Sequence, residues 1–323
     1  MRALIMGAGA IGSVMGAFLA ESGCNVTLVG RAAHMDAIRR AGLRVTGIFG
    51  ERHVTDLRTC TTPDEGAEAA YDLVMVTVKS YDTDSAARAI APFLHDESLV
   101  CACQNGLGNA AAIANHVGWP RTIAARAIFG AWLPEPGVAE VTVIANPTAF
   151  GTYDPATPTA PVKALAARLD AAGLPAVYTD TIDTVLWAKV AYNCALNPLS
   201  ALLDAPYGRL LETEDSQALM ASVIHELYAV GGAMGVALEP ATPGEYLERL
   251  FHELIPPTAA HYASMREDFR QRRRTEIGAL NGAIARYGAE HGTPCPVNDT
   301  LTRIVRAREA LYLRRDGGST TEK

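Results

Sequence analysis

"RALIMGAGAIGSVMGAFLAESGCNVTLVGR", residues 2–31, decides the fold. Arg2 to Met6 is a short apolar run of strand length, Ile11 to Glu21 carries helical periodicity, and Asn25 to Val29 is apolar and β-branched. The stretch therefore reads strand, glycine turn, helix, strand. The turn is Gly7-Ala8-Gly9-Ala10-Ile11-Gly12, a G-x-G-x-x-G pattern in the context that gives it meaning. Gly7 permits the tight turn, Gly9 lets backbone approach a pyrophosphate, and Gly12 allows the helix to lie close on the strand. Free N–H groups at the helix start, aided by the helix dipole, favour the negative charge of phosphates.

The end of the second strand discriminates between dinucleotides, because an Asp or Glu there holds the ribose 2′-OH of NAD. This chain has Val29-Gly30-Arg31 instead, without a carboxylate, and an arginine can pair with a 2′-phosphate. NADP(H) is the expected cofactor; the alternative is an ordinary surface arginine at 31. Two later apolar runs, Asp72 to Val78 and the one closing "SLVCAC", end in Lys79 and in Gln104-Asn105-Gly106. Ligands of open α/β sheets bind beyond the carboxyl ends of strands, so Lys79 and Asn105 fall where cofactor or substrate would lie.

Proline and glycine thicken between Trp132 and Pro161, alternating with β-rich pieces such as Val138 to Ile144, which read as later strands of the same sheet; a last strand is expected near Pro175 to Tyr178. From Thr184 to Arg314 the periodicity is helical. Helices are expected over 215–234, 242–254, 274–291 and 298–315. The expected class is α/β: an N-terminal Rossmann-type doubly wound sheet (residues 1–180) followed by an all-α domain (181–315) and a disordered tail (316–323).

The helical half opens with "LWAKVAYNCALNPLSALL", residues 186–203. Lys189, Asn193 and Asn197 stand four residues apart in it, which places them on one helix face, and buried polar groups require partners. Pro198 should kink or end this helix and free backbone carbonyls beside the ladder. Glu276 follows Thr275 and leads the apolar series Ile277, Leu280, Ile284. On that segment alone it is either a carboxylate complementing a helix start or a site group.

Composition sets the limits. The chain has 323 residues, an apolar fraction of 49% and a net charge of −7, which suits about two packed domains and argues against general nucleic-acid binding. The run Arg270-Gln271-Arg272-Arg273-Arg274 reads as a solvated or cofactor-facing helix end. Glycines at 7, 9, 12 and 16 argue against a secretory leader, and nothing later runs apolar for the ~18 residues of a membrane span, so a cytoplasmic protein is expected. The six cysteines show neither a C-x-x-C pair nor a metal-ligand spacing, and no metal is expected.

Taken together, "GAGAIGS", "VTVKSYDT", "CQNGLGN", "LWAKVAYNCALNPLSALL", "SM" at 264–265, "RRTEIGALNGAIARYGAEHG" and "PCPVN" resemble the ketopantoate reductase (2-dehydropantoate 2-reductase) family over nearly the whole chain. The resemblance implies a Rossmann domain, an all-helical domain and an active site in the cleft between them. It implies that Lys189 is the general acid protonating the carbonyl oxygen of a 2-oxo acid as NADPH delivers hydride. It implies that Glu276 binds the substrate hydroxyl, helps organise the lysine and touches the cofactor. Asn193, Asn197 and Ser264 would orient the substrate, and Lys79 and Asn105 would line the cofactor–substrate junction. The chemistry is consistent, since hydride arriving at a ketone builds negative charge on oxygen that a cationic lysine stabilises and then neutralises.

Two places depart from the family pattern: "VTVIANPTAFG" replaces a glycine-bearing H-x-G element, and His261 stands where some members carry asparagine. Both bear on substrate contacts and leave another 2-oxo acid as the alternative substrate, with a non-catalytic NADP(H) sensor as the alternative outside enzymology. The helical half could supply a homodimer face, although no heptad pattern marks one.

Overall fold

In the computed structural model, which describes residues 1–66 and 70–316, the chain divides into two compact units. The first comprises Met1–Gln104 and Gly108–Ile182; the second comprises Asn105–Leu107 and the chain from Asp183 onward.

The strands of the first unit are, in chain order, β1 (Arg2–Met6), β2 (Asn25–Val29), β3 (Leu43–Gly47), β4 (Arg52–Val54), β5 (Arg58–Cys60), β6 (Tyr71–Val76), β7 (Leu94–Ala102), β8 (Thr122–Arg126), β9 (Phe129–Trp132), β10 (Val138–Ile144), β11 (Thr148–Thr152) and β12 (Ala176–Tyr178). Its helices are α1 (Ala10–Glu21), α2 (Ala32–Ala41), α3 (Thr83–Ile90), α4 (Asn109–Val117) and α5 (Thr159–Ala171). Eight strands form the main sheet in the order β12-β11-β8-β7-β6-β1-β2-β5. From β5 to β8 every neighbour is parallel, and β11 runs antiparallel to β8. Strand order reverses at β1, between β2 and β6, which is the crevice where doubly wound sheets take ligands. The strands read as continuous apolar runs because both faces are covered: Ala3, Leu4 and Ile5 of β1 are fully buried.

Val138 to Ile144, expected in the main sheet, belongs instead to a second sheet of order β4-β3-β10-β9, where β10 lies parallel to β3. The cause lies in α1. This helix is buried from Gly12 through Leu19 and contacts β1 and β2 as well as β3, β9 and β10. A helix apolar on every side needs a cover on every side, and the small sheet supplies the second one.

The second unit continues with α6 (Ile182–Leu203), α7 (Glu214–Ala233), α8 (Pro243–Arg249), α9 (Ser264–Arg270), α10 (Asn281–Glu290) and α11 (Pro296–Asp316). Its core gathers Trp187, Leu196, Met220, Ile224, Leu227, Ile284 and Val305. Local signals fix the starts: Thr213 caps α7 by accepting from Ser216 N–H, and Thr242 with Glu245 closes a capping box on α8.

One expectation is narrowed here and another corrected. Of the two outcomes expected at Pro198, ending is excluded, since α6 continues to Leu203; a carbonyl is freed as expected, that of Cys194, and it receives Asn281 Nδ2 at 3.0 Å. The helix expected from 274 begins only at Asn281, because Leu280 adopts φ −101°, ψ −111° after a 3-10 turn over Ile277–Ala279. The expected disordered tail lies outside the described residues except for Asp316, which closes α11. Among the described residues no helix is long and apolar enough to cross a membrane, and no cluster of His, Cys, Asp and Glu could hold a metal ion.

Candidate active site

In the first unit, three chain segments meet at the crevice. The glycine turn hangs on the end of β2, with Gly7 N–H and Ala8 N–H both donating to Val29 O at 3.0 and 2.7 Å. It is also tied to the end of β6, where the Thr77 hydroxyl donates to Gly7 O at 2.8 Å. Gly7 has φ +110°, and a Cβ there would lie 2.5 Å from Val78 N. At Gly12 a Cβ would come within 2.5 Å of Gly7 O and 2.6 Å of Thr77 Oγ1, so this glycine is required by packing. Gly9 differs. It is exposed, a Cβ there would meet only Gly7 O at 4.0 Å, and packing of the first unit does not explain its bareness.

Gly9 is the N-cap of α1 and offers no side-chain cap; no acidic residue occupies the first turn. The N–H groups of Ala10, Ile11 and Gly12 open that helix, whose start suits a pyrophosphate that needs a bare approach. The donor set therefore fits a dinucleotide. Arg31 stands two residues beyond β2 as the N-cap of α2. Its side chain is exposed and pairs with no carboxylate among the described residues. Lys79 follows β6 directly after the Thr77–Val78 pair against which Gly7 packs, as the N-cap of a 3-10 turn over Ser80–Asp82.

In the second unit the Lys189, Asn193 and Asn197 ladder lies on α6, as the spacing requires. Lys189 Nζ donates to Asn105 Oδ1 at 2.8 Å. Asn105 reaches that position because residues 105–107 are strapped to the turn that Glu276 leads: Leu107 N–H donates to Ala279 O at 2.8 Å, and Ala279 N–H donates to Glu276 O at 3.0 Å. Gly106, at φ +85°, makes the strap possible, since a Cβ would lie 2.3 Å from Ala279 O. Glu276 is half-buried and precedes α10 by five residues, so it does not complement that helix start. The neighbouring Thr275 pins it in sequence: its N–H donates to the Glu309 carboxylate on α11 at 2.8 Å.

Ser264 opens α9 and is exposed. The strand of chain before it is held to the end of α6 and the segment beyond, with Ala263 N–H donating to Ser200 Oγ at 3.2 Å and Tyr207 N–H to His261 O at 2.9 Å. Asn193 is half-buried, and neither its amide nor the Ser264 hydroxyl has a protein partner among the described residues. Asn197 is 7% exposed and accepts from the Tyr207 hydroxyl at 2.9 Å. Burial pushes the Cys194 thiol far above its ordinary range, so this cysteine beside the ladder stays protonated and inert. The His261 imidazole titrates lower than usual for the same reason.

Arg270 to Arg274 resolves as a helix end: Arg273 pairs with the buried Asp268 at 2.8 Å. Sequence reasoning missed three supporting residues. Tyr207 stands ten residues from Asn197 with no periodic relation to it. Glu309 and Asn281 act across helices, and only the absent N–H of Pro198 points to a partner such as Asn281.

The first unit thus carries a crevice whose donors fit a dinucleotide, and the second carries a lysine-amide ladder. The family model described as "Ketopantoate reductase PanE/ApbA" matches residues 3–155, and its C-terminal counterpart matches 181–309. The chain belongs to the ketopantoate reductase family. It is 35% identical to the 2-dehydropantoate 2-reductase of Aquifex aeolicus (strain VF5) over 97% of this chain and 99% of that protein. Among solved structures it matches a PanE/ApbA family ketopantoate reductase from Ralstonia eutropha JMP134 with a TM-score of 0.86 and 34% identity, covering 97% and 100% of the two chains. It also matches D-mandelate dehydrogenase in a ternary structure with NADH and anilino(oxo)acetate, with a TM-score of 0.85 and 27% identity over 97% and 99%.

Proposed function

We propose that this protein reduces 2-dehydropantoate to (R)-pantoate with NADPH, in the biosynthesis of pantothenate, with Lys189 as general acid. The observation that carries the reading is the Lys189 Nζ to Asn105 Oδ1 hydrogen bond of 2.8 Å at the head of the amide ladder. Units one and two would serve as the NADP-binding and the substrate-binding domain.

Bound in the first unit by the glycine turn, Arg31 and Lys79, NADPH would supply a hydride to the 2-oxo carbon. The chain's own work is then to place the substrate and supply one proton. Asn105 holds the Lys189 ammonium through a charge-assisted hydrogen bond, which keeps the lysine aimed. As negative charge grows on the 2-oxo oxygen, Lys189 stabilises it and transfers its proton to that oxygen, which becomes the hydroxyl of the product. Asn193, Asn197 and Ser264 present polar groups to an acid with many oxygens, and Glu276 accepts a hydrogen bond from the substrate's own hydroxyl.

Arg31 supports NADPH over NADH, since a guanidinium at the end of β2 complements a 2′-phosphate and repels nothing that the phosphate carries. A second reading keeps the chemistry and changes the acid. It is favoured by the likeness to D-mandelate dehydrogenase and by the Tyr207–His261 ring pair, 5.3 Å apart beside the ladder, which suits a bulkier apolar side chain. The test is NADPH oxidation by purified protein with 2-dehydropantoate beside a panel of branched and aromatic 2-oxo acids, with NADH as control. NADPH-selective turnover of 2-dehydropantoate above the others supports the first reading. Preference for another acid moves the substrate, and silence throughout rejects both.

A further inference from the structure

We propose that Tyr207 is a positioning residue that fixes the amide of Asn197 with its Nδ2 end toward the substrate, making Asn197 a donor only. An asparagine amide carries an acceptor at one end and two donors at the other, and nothing intrinsic to the side chain selects which end faces a ligand. Here the selection is made by a phenol. The Tyr207 hydroxyl donates to Asn197 Oδ1 at 2.9 Å, and the nitrogen has no protein partner among the described residues.

The phenol is itself held. Tyr207 is 3% exposed, its ring lies 5.8 Å from that of Tyr192 in an edge-to-face arrangement and 5.3 Å from His261, and its own N–H donates to His261 O. The Tyr192 hydroxyl is engaged with Thr258 Oγ1 at 2.8 Å, so the platform does not rotate freely. Burial pushes the Tyr207 hydroxyl far above the ordinary phenol range, which keeps it a proton donor at any working pH. Asn193, one turn earlier on the same face, has no such clamp and can offer either end. The ladder thus combines one fixed donor with one adaptable amide. The carboxylate and the 2-oxo oxygen of the substrate are acceptors only, so a fixed donor is the group they require.

The inference rests on the proposed reading of Asn197 as a substrate contact, and the experiment separates the two. KM and kcat for 2-dehydropantoate, NADPH affinity by fluorescence and the unfolding midpoint are measured for Tyr207→Phe, Asn197→Ala, the double variant and Asn197→Asp. Tyr207→Phe keeps the ring and removes the clamp. It should raise KM about tenfold, the loss of one oriented hydrogen bond, with kcat within about threefold and NADPH affinity unchanged. In the Asn197→Ala background the same change should do nothing further.

Asn197→Asp retains the acceptor for Tyr207 but turns an oxygen toward an anionic substrate, so KM should rise by about a hundredfold or more. This variant decides the matter if Tyr207→Phe does not fold, because near-normal KM in Asn197→Asp would show that the carbonyl end faces the substrate and would overturn the proposal. A folded Tyr207→Phe enzyme with unchanged KM, or one whose rise persists in the Asn197→Ala background, also overturns it while leaving Asn197 a contact. Unchanged KM in Asn197→Ala removes the underlying reading instead, and the proposal with it.

Discussion

Asn281 Nδ2 stands 3.0 Å from the Cys194 carbonyl, the one that Pro198 leaves without its helical donor, and so allows α6 to run through a proline. The same nitrogen reaches Asn298 Oδ1 at 3.0 Å, and Asn298 is held in turn by Glu226 of α7 at 2.7 Å. Replacing Asn281 by alanine strands two buried acceptors and should destabilise the fold by about 2–3 kcal/mol in denaturant unfolding. Pro198→Ala restores an N–H toward Cys194 O. It should recover about 1 kcal/mol in the Asn281→Ala background and gain little in the wild type, where that carbonyl is already served. An equal effect of Pro198→Ala in both backgrounds would refute the capping relationship.

The catalytic assignment predicts a separation between turnover and cofactor binding. Lys189→Ala should lower kcat by about 10²-fold or more, while the affinity for NADPH, whose proposed contacts do not include this side chain, stays near normal. Gly106→Ala tests the same geometry from the other side. Its methyl would lie 2.3 Å from Ala279 O, the strap would shift and Asn105 would leave the lysine, so kcat should fall with NADPH affinity retained. Steady-state rates beside fluorescence titration read both quantities, and near-normal kcat in Lys189→Ala would end the mechanism.

Much of this was legible in the amino-acid order. The first βαβ unit, the α/β class and the co-facial ladder follow from periodicities of 2 and 3.6 residues and from glycine chemistry that acts locally. What escaped was set by tertiary contact. The second layer over α1 was not read from the sequence, which placed Val138 to Ile144 in the main sheet; only the assembled β3 and β10 show which residues supply that cover. The short α9 carries "SMREDFR", polar over most of its length, and its buried Met265 and Phe269 give too little pattern to announce a helix. The late start of α10 depends on a single backbone break at Leu280 that no side-chain spacing encodes. Tyr207 could be found only once the fold had brought it to Asn197.

The glycine turn and Arg31 give a contrast between neighbouring substitutions. Gly9→Ala meets open space on the protein side, so the unfolding midpoint should hold while the KM for NADPH rises by about tenfold or more. Gly12→Ala meets Gly7 O at 2.5 Å and should lose stability as well as cofactor. Arg31→Ala should raise the KM for NADPH about tenfold and leave NADH unaffected, since only the 2′-phosphate is lost as a partner. Equal losses with both dinucleotides would show that Arg31 does not read the phosphate.

His34 makes stability depend on pH in a direction that can be worked out from its two hydrogen bonds. It is buried, Gly137 N–H donates to its Nδ1 at 2.9 Å, and Nε2–H therefore donates to Ser13 Oγ, 2.9 Å away and one residue beyond the glycine turn. A proton on Nδ1 would oppose a donor in a dry site, and burial accordingly lowers the pKa from 6.5. The unfolded chain then binds more protons than the folded one between the lowered value and 6.5, so stability rises with pH across that window. Stability should be fully present above about pH 7 and decline as pH falls below about 6.5 toward the lowered value of the folded state. Carboxylates such as Asp72 and Asp84, whose values are lowered, act in a more acidic range. His34→Gln should flatten part of the decline in urea unfolding measured between about pH 5 and about pH 7.5. A slope unchanged in that variant would mean that the imidazole accommodates its second proton in the folded state, contrary to the geometry around Gly137.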